Sequence, residues 1–244
     1  MFINPFRTSF IALFFSLTIC NIASSDPISS FSNEMWDMVG FTWNDKQLAN
    51  FIAADVENSE GRLKIKTKTG GFSFGGKGSK FLLKGDFDIQ TDLKFDLLRK
   101  YKKFDQIAFF SIHHGGENLK DFFDRKLISF SVARIEGKRG KFSVRAQMNR
   151  NKSKKYYKTF INSIDGSLKF VRVGHNVTAY YKESGQSKWN KLASIPFITK
   201  PVMVTIGLRN YSFKRTSISA SDSIMAIFDN FSINSSQGII EADI

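Results

Sequence analysis

Apolar and polar side chains alternate along most of the chain between residues 63 and 233. The clearest run is 87–95 (FDIQTDLKF), where the odd positions hold apolar residues or threonine and the even positions hold Asp, Gln or Lys. Successive side chains of an extended strand point to opposite sides, so this period of two indicates strands with one buried and one exposed face. The same pattern predicts further strands at 63–67, 107–113, 128–134, 142–148, 168–173, 177–181, 202–208 and 224–233.

Turn signals rich in Gly, Asn or Asp separate these runs, and no long segment has the period of a helix. A single open sheet of about ten strands would leave one apolar face in water. We therefore expect an all-β fold in which two antiparallel sheets pack face to face as a sandwich. Among the turn signals, Gly75, Gly76 and Gly78 surround Lys77. They predict a flexible turn and not a phosphate-binding loop, because no Ser or Thr follows the lysine.

The first 25 residues have the composition of an export signal. The ten-residue run 10–19 is dominated by large apolar residues but is too short to cross a membrane, which takes about 20 residues. Ala23 and Ser25 place small residues before a cleavage site. We therefore expect residues 1–25 to be a signal peptide, and the mature protein to be secreted, periplasmic or held in the cell envelope. Lipid attachment at Cys20 is a rival interpretation that ranks second, because a bulky Ile precedes the cysteine.

The mature chain lacks cysteine, since Cys20 is the only one in the sequence. Neither a disulfide nor a cysteine-ligated zinc site can therefore stabilise it. We expect residues 26–244 to form a single domain whose N-terminal segment, 26–60, is irregular. No second apolar run approaches the length of a membrane span, so we expect no transmembrane segment in the mature chain.

Several short motifs follow one another in a characteristic order. They are GDFDI at 85–89, FVRVGHNVTAYY at 170–181, a Trp at 189, VTIGL at 204–208 and FDNFSI at 228–233. In this order they resemble the concanavalin A-like lectin/glucanase superfamily, and in particular exported bacterial jelly-roll domains of uncharacterised function. The resemblance covers 63–233 and implies a two-sheet antiparallel jelly-roll sandwich more than it implies an activity.

Catalytic carboxylates are the first functional residues that this resemblance raises. The glucanases of the superfamily carry their acid pair on one strand as Glu-x-Asp-x-Glu or a close variant, and this sequence has no such motif. Asp86, Asp88 and Asp92 share one face by alternation, but structural use is favoured. The leading hypothesis is a non-enzymatic carbohydrate-binding (lectin-like) or adhesion module. The alternatives are a glycoside hydrolase or lyase with an unrecognised acid pair, and a structural envelope protein that binds anionic surface polymers.

Positive charge is concentrated in one part of the chain. The sequence has 36 Lys and Arg against 22 Asp and Glu, a net charge of +14, and nine of these cations lie in the acid-free stretch 137–164. Such a region attracts polyanions, although a generally basic surface that only keeps the protein soluble accounts for the charge equally well. We expect a glycan or anionic polymer as partner and consider nucleic acid less suited to an exported jelly roll. The predicted anion-binding residues are Lys138, Arg139, Lys141, Arg150, Lys152, Lys154 and Lys155.

A ligand-binding face is predicted on the hairpin 128–149. Alternation places its apolar residues on one side and its serines, amides and one arginine on the other, where they can match sugar hydroxyls. Tyr181 and Trp189 are candidates for stacking on sugar rings, and His114 is a candidate for ligand contact at a strand end. The hairpin's own candidates are Ser129, Ser131, Arg145, Gln147 and Asn149.

No cofactor is predicted. His113 and His114 are adjacent on a strand and therefore point to opposite faces, which does not suit one metal ion. Asp229 occupies the terminal-strand position at which some jelly rolls hold calcium. We prefer a role for Asp229 in anchoring a turn or the neighbouring backbone.

Overall fold

β-Strands account for nearly all of the chain that the computed structural model describes, which is residues 31–38, 51–70, 72–96, 104–114, 128–136, 142–150, 153–212 and 223–242. In chain order the strands are β1 (Trp36–Met38), β2 (Phe51–Ala53), β3 (Asp55–Ser59), β4 (Arg62–Lys66), β5 (Phe72–Asp96), β6 (Phe104–His114), β7 (Ile128–Glu136), β8 (Phe142–Arg150), β9 (Ser153–Phe160), β10 (Gly166–Val173), β11 (Asn176–Glu183), β12 (Asn190–Pro196), β13 (Val202–Ser212) and β14 (Met225–Glu241). Within these ranges, no helix is long and apolar enough to span a membrane.

Two sheets share the long strand β5 and pack against each other. The front sheet joins the N-terminal half of β5 to β13, β6, β7, β8 and β9 in that order, with β1 and β2 on the opposite edge of β5. The back sheet has the order β3-β4-β14-β5-β10-β11-β12 and uses the C-terminal half of β5. Every strand pair is antiparallel except β2 with β5. The predicted all-β sandwich is therefore confirmed.

Aromatic side chains fill the space between the two sheets. The rings of Phe110 on β6 and Phe130 on β7 each lie 5.3 Å from the ring of Phe170 on β10, and all three residues are fully buried. Because Phe110 and Phe130 belong to the front sheet and Phe170 to the back sheet, these contacts join the layers. The alternation read from the sequence identifies the dry side correctly, since Phe87 and Val144 are buried as well.

The sheets are connected where β5 passes from one to the other. Leu83 is paired with β13, whereas Phe87 is already paired with β10, and Gly85 between them has a φ of 66°. The buried guanidinium of Arg172 donates hydrogen bonds to the carbonyl oxygens of Gly85 and, at 3.1 Å, of Lys200. It also lies 4.7 Å from the centre of the Phe87 ring. Burial lowers the pKa of Arg172, and the nearby Asp86 partly offsets this effect.

Removing this guanidinium should destabilise the whole sandwich. Arg172→Ala is expected to lower the free energy of unfolding by about 3 kcal/mol, because buried carbonyl groups would lose their donor and a cavity would remain. Arg150→Ala, at the exposed end of β8, is the control and should change stability by less than about 0.5 kcal/mol. Urea denaturation followed by circular dichroism measures both values. A loss below about 1 kcal/mol for Arg172→Ala would contradict the role.

The N-terminal segment differs from expectation. The described parts of 26–60 are not irregular throughout, because they include β1, β2 and β3. Three to five residues are too few to show an alternating pattern, and the segment is held instead by Trp36, whose ring lies 4.9 Å from that of Phe231. Residues 1–30 lie outside the described part of the chain, so the signal peptide and the domain boundary remain predictions.

The predicted turn at Gly75, Gly76 and Gly78 is wrong, because all three residues lie within β5. Gly75 and Gly76 are explained instead by the space around them. A Cβ on Gly76 would lie 2.3 Å from the carbonyl oxygen of Ile206 on β13, and one on Gly75 would lie 2.8 Å from the Ala54 side chain. Glycine here permits close approach of neighbouring segments.

Candidate functional site

On the outward side of the front sheet, two neighbouring rows of polar side chains cross the strands β13, β6, β7, β8 and β9. Residues opposite each other on antiparallel strands point to the same side, so the pairing register shows which side chains meet. We define the polar face by three rows on this one side of the sheet. The central row is Thr205, Ser111, Ser131, Gln147 and Tyr156, and the row on one flank of it is His113, Ser129, Asn149 and Lys154. The row on its other flank contributes Arg145 and Lys158. With strands about 4.8 Å apart, the polar face is about 19 Å wide.

Two amides and a serine form a fixed network on the polar face. Gln147 donates from Nε2 to Oδ1 of Asn149 at 2.8 Å, and Asn149 donates from Nδ2 to Oγ of Ser129 at 3.0 Å. These bonds orient both amides. Oε1 of Gln147 accepts no hydrogen bond from the described part of the chain, so it is available to a donor from outside. The network therefore presents an oriented acceptor of the kind that binds a sugar hydroxyl.

Cations and exposed aromatic rings adjoin this network. The guanidinium carbon of Arg145 lies 5.4 Å from the centre of the Tyr156 ring, and Nζ of Lys158 lies 5.0 Å from that of Phe160. Tyr156 is 52% exposed and Phe160 is 64% exposed, which is unusual for rings of this size. Arg145 has no carboxylate partner among the described residues. Its planar fork is therefore free to bind an anionic group in a bidentate way.

His113 is one of four buried members of the polar face, together with Ser111, Ser129 and Thr205. Its Nε2 is hydrogen-bonded to the hydroxyl of Thr205, and its side chain is almost completely enclosed. Burial lowers its pKa to about 3. The imidazole is therefore neutral at pH 7, so it can take part in hydrogen bonds but cannot attract an anion by charge.

This histidine should make stability depend on pH. The unfolded chain binds a proton near pH 6.5 and the folded chain only near pH 3, so stability is lost as the pH falls between these values, by up to about 1.4 kcal/mol per pH unit. His113→Gln should reduce this slope between pH 6.5 and 5. Thr205→Val removes the hydrogen-bond partner but keeps the imidazole, so it should retain the slope. Urea titrations at several pH values measure it, and equal slopes for wild type and His113→Gln would refute the assignment.

The structure brings five of the predicted ligand residues together, namely Ser129, Ser131, Arg145, Gln147 and Asn149. Their role in binding stays a prediction. His114, in contrast, is not on the polar face. It points to the opposite side of β6, where its Nδ1 donates a hydrogen bond to the carbonyl oxygen of Pro201 at 3.1 Å. Alternation along the strand places His113 on the polar face instead.

The two predicted stacking residues lie elsewhere. Trp189 is on the outer side of the back sheet, where Nζ of Lys182 and of Lys169 lie 4.9 and 5.4 Å from its ring centre. Tyr181 points inward from β11 and packs against the core, with Arg134 5.9 Å from its ring. Neither ring reaches the polar face, since β11 belongs to the other sheet.

Tyr156 of the polar face and the nearby Phe160 lie on β9, a strand that the sequence analysis missed. All but one of its residues are exposed, so β9 has no dry side and no apolar alternation. The sequence of β9 shows a different pattern, in which lysines and aromatic residues occupy alternate positions on one side: Lys154, Tyr156, Lys158 and Phe160.

Only some of the predicted anion-binding residues can be placed. Lys154 is on the polar face, Lys155 is exposed on the other side of β9, and Arg150 is exposed at the end of β8. Lys138, Arg139, Lys141 and Lys152 lie outside the described residues. Anion binding by this set stays a prediction.

The three aspartates considered as catalytic acids hold structural bonds away from the polar face. Asp86 accepts from a backbone amide of the turn between β10 and β11 at 2.7 Å, Asp88 pairs with Lys169 at 2.6 Å, and Asp92 accepts from the hydroxyl of Ser167 at 2.6 Å. Through these contacts each of the three carboxylates stabilises the back sheet, which explains its presence without a catalytic role.

Asp229 anchors neighbouring strands, the role that we preferred. Its Oδ2 accepts from Nε of Arg62 at 2.9 Å and its Oδ1 from the backbone amide of Asn230 at 2.8 Å. A guanidinium at this distance opposes a second cation, and the described residues contain no group of three or more potential metal ligands of the His, Cys, Asp and Glu type. Both carboxylate oxygens of Asp229 are thus engaged by donors of the protein itself.

Comparison with known proteins identifies the fold. No protein-family model matches the sequence, and no curated protein matches it. Among solved structures, LamAcat of Zobellia galactanivorans is 9% identical, covers 85% of this chain and 93% of its own, and superposes with a TM-score of 0.57. A LamA structure of that organism in complex with laminaritriose and laminaritetraose is 10% identical, covers 84% and 94%, and gives 0.56.

A lectin-like protein is similar in the same way. The legume lectin-like domain of Entamoeba histolytica is 11% identical, covers 85% of this chain and 90% of its own, and has a TM-score of 0.53. At such low identity these likenesses establish architecture alone. The chain has the concanavalin A-like jelly-roll fold, as its motifs indicated.

Proposed function

We propose that this chain is an exported, lectin-like carbohydrate-binding or adhesion module that holds a glycan on its polar face without cleaving it. The observation that carries the proposal is the chemistry of that face. It combines oriented amides, an arginine without a carboxylate partner among the described residues, and the exposed ring of Tyr156. Of the side chains that the structure describes on β6, β7, β8, β9 and β13, none is Asp or Glu.

Sugar recognition follows from the pairing of polar and aromatic groups. Gln147 and Asn149 can exchange hydrogen bonds with neighbouring hydroxyls, and the bonds that fix them reduce the entropy lost on binding. Tyr156, in the same row as Gln147, supplies a flat apolar surface for the C–H side of a sugar ring. The oligosaccharides held by the similar LamA structure are consistent with a sugar ligand on this fold.

The lack of a carboxylate among the residues of the polar face supports a non-enzymatic role. Hydrolysis with retention or inversion takes two carboxyl groups across the scissile bond. None of the residues that make up the polar face is a carboxylate, since the acids of its strands are Asp105 near the start of β6 and Glu136 at the end of β7. Asp86, Asp88 and Asp92 are engaged on other parts of the molecule. Release of reducing ends from a bound polysaccharide by the wild-type protein would overturn this part of the proposal.

The preferred glycan is anionic. Arg145, Lys154 and Lys158 lie on the polar face without a carboxylate partner among the described residues, in a chain of net charge +14. Fixed cations of this kind attract a polyanion through the release of its counterions. Sulfated or uronic acid polysaccharides therefore suit the face better than neutral ones do.

Tyr156 and Tyr157 provide a matched pair for testing the site. They are neighbours on β9 but point to opposite sides, and only Tyr156 faces Gln147. Tyr156→Ala is expected to weaken binding to polygalacturonate or carrageenan about 10-fold, because about 1.4 kcal/mol of ring stacking is lost. Tyr157→Ala should leave binding within about twofold. Calorimetry or glycan-array titration measures both, and equal effects of the two variants would remove the polar face as the site.

Arg145 should contribute to the dependence of ligand affinity on salt concentration. For a polyanionic ligand, Arg145→Gln is expected to weaken binding at low salt and to reduce the slope of log affinity against log salt by up to about one. The affinities of the two proteins should converge at high salt. An unchanged slope would show that the guanidinium makes no ionic contact with the ligand.

A further inference from the structure

A second concave surface lies on the opposite side of the sandwich from the polar face. It is a cleft of about 680 Å³ on the outer side of the back sheet. Its floor is a row of directly paired residues, Asp229 on β14, Asp92 on β5, Ser167 on β10 and Lys182 on β11. The turn that follows β11, residues 184–186, contributes to its lining. This volume lies within the range of small-ligand sites, which is about 300–1,000 Å³.

The cleft is polar with nearly balanced charge. Its carboxylates are those of Asp92, Asp165, Glu183 and Asp229. Its cations are those of Arg62, Lys94 and Lys182. This composition differs from that of the polar face, whose defining residues include three cations and no acid. Four acids against three bases give no attraction for a polyanion, whereas interspersed donors and acceptors suit a neutral molecule rich in hydroxyl groups.

Hydrogen bonds hold several of these polar groups in place. Oδ1 of Asp92 accepts from Ser167 at 2.6 Å, and Oδ2 accepts from Nδ2 of Asn230 at 2.9 Å. Oε2 of Glu183 accepts from two backbone amides of the 161–165 segment at 2.7 and 2.8 Å. Lys182, in contrast, has no carboxylate partner among the described residues. The cleft thus offers fixed acceptors beside a lysine whose donors remain available.

An aromatic ring stands next to the cleft. Nζ of Lys182, which lines the cleft, is 4.9 Å from the ring centre of Trp189. Trp189 is partly exposed and follows the turn that contributes to the cleft lining. A large ring beside fixed polar groups is the combination that binds a pyranose, with the ring against its C–H side and the polar groups on its hydroxyls.

The geometry points to a second sugar-binding site in this cleft, specific for a neutral glycan, with Trp189 as its stacking ring and Lys182 as a hydroxyl donor. The site does not depend on the polar face, because it uses other strands and another charge pattern. Together the two sites would let one molecule join an anionic polymer on its front to a neutral polymer on its back.

Affinity electrophoresis of the full mature chain in gels containing laminarin, mannan or xyloglucan tests the inference. Retardation by at least one of these neutral polysaccharides is expected, and it should persist in about 1 M salt, where the Debye length is about 3 Å. Trp189→Ala and Lys182→Gln should each weaken this retardation severalfold. Tyr156→Ala is the control and should leave it unchanged.

Parallel gels containing polygalacturonate separate this inference from the proposed function. There Tyr156→Ala should reduce retardation, and Trp189→Ala should not. Failure of all three neutral polysaccharides to retard the wild-type chain would overturn the second site, as would retardation that Tyr156→Ala removes but Trp189→Ala and Lys182→Gln leave intact. Thermal unfolding checks that the variants are folded, and if Trp189→Ala is not, Lys182→Gln alone decides.

Discussion

The sandwich depends on the crossing of β5 from the front sheet to the back sheet. A strand that changes partners in mid-course leaves backbone carbonyls without ladder partners, and buried carbonyls need donors. Arg172 supplies several from one side chain, and its burial beside Phe87 is tolerable because those carbonyls surround the guanidinium. Both the polar face and the cleft on the back sheet depend on this junction. The reason is that β13 pairs with the first half of β5, and Asp92 in its second half belongs to the floor of the cleft.

Two different electrostatic surfaces result from one scaffold. On the front, Arg145 and the lysines of β9 stand among amides and hydroxyls, and their charge is not cancelled by described acids. On the back, acids and bases are interleaved, and Arg62 and Lys169 each form an ion pair with an aspartate. A net charge of +14 therefore describes neither surface well. The distribution of charge over the two layers bears more directly on ligand choice than the total does.

Alternation predicted the fold and grouped Arg145, Gln147 and Asn149 correctly, because one dry side forces the register of each strand. It failed where no dry side exists. β9 is exposed on both sides, so its rings were not assigned to the face that they complete. The position of Trp189 could not be read from the chain either, since a local pattern does not reveal which layer a strand joins. The turn predicted at the glycines of β5 was wrong for a related reason. Tight turns and close contacts between strands both favour glycine, so the sequence does not distinguish them.

β9 also ends the front sheet, for among the described strands it pairs only with β8. An open edge invites a strand of another molecule to add to the sheet, and lysine is a common means of discouraging this. Lys154, Lys155 and Lys158 would bring like charges together if two copies met edge to edge. Neutral substitutions there would remove this repulsion, so the basic stretch opposes strand addition at the edge of the front sheet in addition to any role as a binding surface.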